Sequence, residues 1–85
     1  MDELYRIIEN KIKESGYPGI LSGEDIYEDM CEQMEGYDNG TYLLLSMLTE
    51  DLVIEYFITI MDDGFDLHGM TIRTSQEGTY EVKFD

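Results

Sequence analysis

The chain has 85 residues, of which 20 are acidic and five are basic, so its formal net charge is −15. Hydrophobic residues make up 42% of the sequence, enough for one small core, which excludes an acidic disordered tail. Five scattered cations cannot form the basic surface that direct binding of DNA, RNA or an anionic membrane requires. We therefore expect residues 1–85 to form a single domain that binds neither nucleic acid nor membrane directly.

Composition also indicates a compartment. No apolar run approaches the roughly 20 residues of a membrane span, and the first residues, Met1, Asp2 and Glu3, lack the cationic start of a signal peptide. The single cysteine cannot form an internal disulfide, which favours a reducing environment. These features predict a cytoplasmic protein.

Two amphipathic helices are predicted in the N-terminal half. The first covers residues 2–15, where apolar side chains share one arc and polar ones, including Arg6 and Glu9, point away from it. That apolar arc consists of Leu4, Tyr5, Ile7, Ile8 and Ile12. The second helix is predicted to begin at Ser22, a favoured N-cap residue, and to end at Gly36, a typical residue just beyond a helix.

Four strands are predicted after the turn signal at residues 38–40. They cover residues 41–48, 52–61, 67–74 and 79–84. Short polar breaks separate the strands, which favours antiparallel hairpins. The predicted order is therefore ααββββ, an α+β fold in which two N-terminal helices pack on one face of a four-stranded antiparallel meander.

Alternation along the strands assigns the side chains to two sheet faces. If Leu48 pairs with Leu52, one apolar set faces the helices as core: Tyr42, Leu44, Ile54, Tyr56, Ile58, Ile60, Met70, Ile72, Tyr80, Val82 and Phe84. A second apolar set lies on the opposite face: Leu43, Leu45, Met47, Val53 and Phe57. A solvated sheet face should be polar. The second set therefore predicts an interface with another copy or another protein, unless a helix or loop covers it.

Charge is distributed unevenly along the chain. From Glu14 to Ile72 there are fourteen acids and no Lys or Arg. On the second helix, six carboxylates share an arc that contains no apolar residue: Glu24, Asp25, Glu28, Asp29, Glu32 and Glu35. They occupy about 17 Å of helix, one per about 3 Å, close to the spacing of about 3.4 Å between phosphates along one DNA strand. Acidic turns extend this track with Glu50, Asp51, Asp62, Asp63 and Asp66.

The acidic track predicts binding to a basic, nuclease-like protein through the groove that normally holds phosphates. Two alternatives stay open at this point. The carboxylates can serve only solubility as a solvated face, or they can bind a basic protein of another kind.

No residue pattern indicates catalysis, a cofactor or a dedicated metal site. Cys31 lies in the middle of the second helix among acids, the opposite of the cationic setting that activates a thiol. Cys31 and His68 are the only pair available for thiol chemistry, and one histidine is too few for a zinc site. The segment around Asp62 and Asp63 lacks the spacing and closing Glu of a calcium loop. We expect a non-enzymatic protein without a cofactor.

In size, charge and helix-plus-meander layout, the chain resembles the small acidic inhibitors carried by phages and mobile elements, notably the anti-CRISPR proteins. Several of those are single α+β domains that fill the nucleic-acid groove of a nuclease with carboxylates. The chain is similar as well to small acidic bacterial proteins of unassigned function. The first resemblance implies an inhibitor that mimics nucleic acid. The alternative is a structural or adaptor module that acts through the apolar sheet face.

Overall fold

Two helices precede four consecutive strands in the computed structural model, which describes residues 2–84. The elements are α1 (Asp2–Glu14), α2 (Gly23–Met34), β1 (Gly40–Thr49), β2 (Leu52–Met61), β3 (Gly64–Thr74) and β4 (Gly78–Lys83). The sheet order is β1-β2-β3-β4, and each strand is antiparallel to its neighbour. The predicted α+β fold is confirmed.

The ends of α2 follow from local chemistry. Ser22 is the N-cap, and its Oγ accepts a hydrogen bond from the Asp25 amide at 3.4 Å. Beyond the C-cap Glu35, Gly36 has φ 85°, a left-handed conformation that glycine adopts without strain. Both ends agree with the sequence prediction.

The two helices approach one another closely at Gly23, the first residue of α2. A Cβ at this position would lie 2.0 Å from the carbonyl oxygen of Tyr5, so the approach requires glycine. The Gly23 amide donates a hydrogen bond of 2.8 Å to Glu9 Oε2, and this carboxylate of α1 thereby caps the positive end of α2. The prediction that Glu9 points away was wrong, because this otherwise unsatisfied amide draws its half-buried side chain toward α2.

The core lies between the helices and one face of the sheet. Its buried members are Ile8, Ile12, Ile26, Met30, Leu44, Ile54, Tyr56, Ile58, Met70, Ile72 and Val82. Every strand residue in this set belongs to the predicted core face. The other predicted members of that face, Tyr42, Ile60, Tyr80 and Phe84, are half-buried at its margin. The alternation argument is therefore confirmed for the sheet.

A bulge at the end of β1 changes one predicted pair. Thr49, and not Leu48, lies opposite Leu52, so Leu48 is the additional residue of the bulge. The predicted register holds for the rest of β1 and β2, as the pair of Leu44 and Tyr56 shows.

A second bulge changes the start of β3. Gly69 lies opposite Phe57 but Leu67 lies opposite Ile58, so His68 is the additional residue. The bulge shifts the alternation by one position, so Phe65 and Leu67 pack against the core. The prediction that this strand begins at residue 67 was wrong. The bulge interrupts the strict two-residue alternation, so the first paired residues of β3 do not fit the pattern of the rest of the strand.

Candidate interaction surfaces

The exposed side of α2 carries five of the six predicted carboxylates. We call them the α2 carboxylate row: Glu24, Asp25, Glu28, Glu32 and Glu35. Two stand in the first turn, where the helix dipole favours negative charge. Over about 17 Å of helix the carboxylates of the row are spaced by about 4 Å on average. Within residues 2–84 the ion pairs, Lys11 with Glu14 and Arg73 with Glu55, involve no member of the row.

Asp29, the sixth carboxylate of the predicted arc, faces the sheet. Its Oδ1 accepts a hydrogen bond of 2.7 Å from Ser46 Oγ, and its Oδ2 accepts one of 2.7 Å from the Tyr56 hydroxyl. Ser46 and Tyr56 are both buried, so their hydroxyl groups need a protein acceptor. The prediction of an exposed Asp29 was wrong for this reason. Its carboxylate joins α2 to β1 and β2.

Burial raises the pKa of the Tyr56 phenol well above its ordinary value, and the hydrogen bond and charge of Asp29 raise it further. An unfolded tyrosine loses its proton near pH 10, as model peptides do, whereas folded Tyr56 keeps it. The contribution of this group to stability is complete below about pH 10 and falls as the pH rises toward the folded pKa.

We therefore expect alkaline pH to remove the stability that Tyr56 supplies. Between about pH 9 and about pH 11, the free energy of unfolding should fall by about 1.4 kcal/mol more in the native chain than in Tyr56→Phe. Urea unfolding of both proteins at each pH measures this difference. All other groups titrate alike in the two proteins, so their contributions cancel when the two free energies are subtracted. A difference that does not change with pH would mean that the phenol ionises in the folded protein.

The remaining predicted acids lie at opposite ends of the sheet. They are Glu50, Asp51, Asp62, Asp63 and Asp66, and all five are exposed. β2 has ten residues, so about 33 Å separates the turn before it from the turn after it. Asp51 accepts a hydrogen bond of 3.0 Å from Ser75 Oγ, and Asp62 accepts one from the side-chain amide of Asn39. These two carboxylates therefore also hold neighbouring turns together.

The sheet face opposite the helices, here called the outer face, bears the second predicted surface. The outer-face patch consists of Leu43, Leu45, Met47, Val53 and Phe57. Leu43, Leu45 and Met47 are 63%, 59% and 72% exposed, and Phe57 is 44% exposed. Val53 is half-buried. No helix or loop within residues 2–84 covers the patch, so the alternative that a local element hides it was wrong.

Charged residues of both signs occupy the other half of the outer face. The centre of the whole outer face consists of three rows of residues that run across the four strands: Leu43-Phe57-Gly69-Lys83, Leu45-Glu55-Thr71-Glu81 and Met47-Val53-Arg73-Thr79. Arg73 Nη2 lies 3.4 Å from Glu55 Oε1. Glu81 and Lys83 add one more charge of each sign. The three rows are therefore neutral in a protein whose net charge is −15.

A groove of about 390 Å³ crosses the centre of the outer face above Gly69. Leu43 and Phe57 line one side and Lys83 lines the other. A Cβ on residue 69 would lie 3.0 Å from the carbonyl oxygen of Val82 and would also reduce the depth of the groove. Sequence reasoning missed this groove, although the alternation that places Thr71 and Arg73 on the outer face also places Gly69 there.

A polar chain on the outer face was missed as well. Thr41 Oγ1 and Thr59 Oγ1 are 2.9 Å apart, and Thr59 Oγ1 is 2.7 Å from His68 Nε2. The His68 ring contacts Phe57, with the ring centroids 5.0 Å apart. Cys31 belongs to α2, on the other side of the sheet. The Cys31–His68 pair considered from the sequence is therefore not formed.

No three His, Cys, Asp or Glu side chains among residues 2–84 converge to hold a metal ion. None of the helices described above is long and apolar enough to cross a membrane. No protein-family model, curated protein or solved structure matches the chain. Function must therefore be inferred from the α2 carboxylate row and the outer face.

Proposed function

We propose that this protein is a non-enzymatic, cytoplasmic inhibitor whose α2 carboxylate row occupies the phosphate-binding groove of a basic, nuclease-like protein. The row itself supports the proposal: five exposed carboxylates follow one helix, and none of them has an ion-paired cation among residues 2–84. Their mean spacing of about 4 Å along the helix axis is close to the spacing of about 3.4 Å between phosphates along one DNA strand. This is also the mode of action that the resemblance to phage and mobile-element inhibitors implies.

The energetics of α2 favour a binding role over solubility alone. Glu24, Glu28 and Glu32 are like-charged neighbours at i,i+4 spacing, and each such pair costs a few tenths of a kcal/mol. Interspersed lysines would remove this cost and keep the surface soluble. A basic groove converts the repulsion into attraction, because its cations approach several carboxylates at once. Such binding weakens steeply as salt rises.

Charge reversal on α2 tests the proposal. In Glu28→Lys/Glu32→Lys/Glu35→Lys, the new cations lie toward the C-terminal end of α2, where the helix dipole favours them, so the fold is retained. Asp29 is left intact because Ser46 and Tyr56 depend on it. The immobilised native chain should capture a nucleic-acid-binding protein from host lysate at low salt, and duplex nucleic acid should compete for it. The variant should capture at least about 100-fold less.

The matched control is Glu3→Lys/Glu14→Lys/Glu77→Lys, which reverses three exposed acids away from α2. Both variants have the same net charge, so a general loss of acidity affects them equally. The control should retain the captured protein. Retained capture by the folded α2 variant, or equal loss in both variants, would contradict the proposal.

The outer-face patch supports a second candidate, an adaptor or structural module that binds through apolar contact. Leu43, Leu45 and Met47 are each more than half exposed on neighbouring positions of one strand. A partner bound there should resist high salt, survive the α2 reversals and be lost in Leu45→Glu. These outcomes are opposite to those expected for the carboxylate row.

A further inference from the structure

We propose that the outer face binds a second copy of this chain, so that two sheets pack face to face in a homodimer. The proposal goes beyond the inhibitor function, because the outer face and the α2 carboxylate row lie on opposite sides of the sheet. Charge, area and shape each favour another copy as the occupant.

The charge distribution favours self-association at this face. Two copies that each carry −15 repel one another over most of their surfaces. The three central rows of the outer face are neutral, because Arg73 and Lys83 balance Glu55 and Glu81. In a face-to-face dimer the two sheets are about 10 Å apart, and each helix layer lies about 10 Å beyond its own sheet. The two α2 helices are therefore about 30 Å apart. That distance is about three Debye lengths at 0.1 M salt.

The same distribution disfavours a basic partner at the outer face. A strongly basic protein is attracted to the acidic surfaces, and at the outer face it would meet Arg73 and Lys83. The three central rows of a second copy bring equal numbers of acids and bases to the contact. The second copy also brings its own apolar patch.

The area of the sheet is sufficient for a specific, moderately weak dimer. A strand residue covers about 3.3 Å by 4.8 Å of a sheet, so the four strands cover about 600 Å² on one face. Two such faces bury about 1,200 Å² together, the lower bound for standard interfaces. We expect a dissociation constant in the micromolar range.

The shape of the outer face is self-complementary. With isologous symmetry, β1 of one copy lies across β1 of the other, so Leu43, Leu45 and Met47 cover their counterparts. The groove of about 390 Å³ above Gly69 lies beside the protruding Phe57 ring, so each copy offers both a projection and a recess.

Analytical ultracentrifugation across the micromolar range tests the proposal with the full chain. We expect a monomer–dimer equilibrium that tightens as salt rises from about 0.1 M to about 1 M, because screening weakens the repulsion between the acidic copies. Leu45→Glu should raise the dimer dissociation constant about 30-fold or more. Ile20→Glu adds the same charge at a loop residue that is 93% exposed, and it should leave the constant unchanged.

Two results would overturn the dimer. One is a chain that stays monomeric at the highest concentration in about 1 M salt, where the Debye length is only about 3 Å. The other is a dimer that a folded Leu45→Glu variant, checked by circular dichroism, leaves intact. The α2 reversal variant should dimerise at least as tightly as the native chain, because it lowers the charge. Failure of the dimer is therefore separable from failure of the inhibitor function.

Discussion

Replacing Asp29 with alanine should lower the free energy of unfolding by about 3 kcal/mol, because two buried hydroxyl groups lose their acceptor. Ser46 and Tyr56 each donate a hydrogen bond of 2.7 Å to this carboxylate, and both side chains are buried. Chemical unfolding in urea measures the loss. A double variant with Tyr56→Phe removes one of the orphaned donors and should recover part of it.

Glu28→Ala is the matched control, since it removes the adjacent acid of the same helix. Glu28 is exposed and belongs to the α2 carboxylate row, so its loss should change stability by no more than about 0.5 kcal/mol. Equal effects of the two substitutions would show that Asp29 is a surface residue. The comparison thus separates Asp29, which stabilises the fold, from the acids of the α2 carboxylate row, which are proposed to bind a partner.

Gly23→Ala should destabilise the protein by about 3 kcal/mol or more, although alanine is the better helix former. Helix propensity alone favours alanine over glycine by about 1 kcal/mol. The new Cβ would lie 2.0 Å from the carbonyl oxygen and 2.6 Å from the carbonyl carbon of Tyr5, and backbone atoms cannot rotate aside. The helices would have to separate, which also breaks the bond between Glu9 and the residue 23 amide.

Gly19→Ala is the control for this prediction. Its Cβ would meet the Tyr17 ring at 2.7 Å, but a side chain can move to another rotamer. We expect a loss of less than about 1 kcal/mol for Gly19→Ala. A neutral or stabilising Gly23→Ala in thermal or urea unfolding would contradict the close approach of α1 to α2.

Features governed by local chemistry were predictable from the sequence. The N-cap Ser22 and the terminal Gly36 mark α2 because capping depends on residues adjacent in the chain. Alternation in β1 and β2 identified the core face because their bulge lies at the end of the hairpin. The exposed apolar patch followed from the same alternation.

Features governed by tertiary contact were not predictable in the same way. The start of β3 was missed because the bulge at His68 reverses the alternation within one strand. Glu9 and Asp29 were assigned to solvent because an acidic side chain on a helix is usually exposed. One available signal was overlooked. Tyr56 belongs to the predicted core face, the same alternation places Ser46 on that face, and buried hydroxyl groups require an acceptor.

The position of β1 at the sheet edge has a consequence for colloidal stability. Residues 41–48 contain no charged side chain. Uncharged apolar edge strands can add a strand from another molecule, the step from which amyloid-like fibrils grow. β1 lacks the lysine or proline that usually blocks this addition, so protection falls to the repulsion between highly acidic molecules. Since the isoelectric point is near pH 4.1, that protection disappears in mild acid.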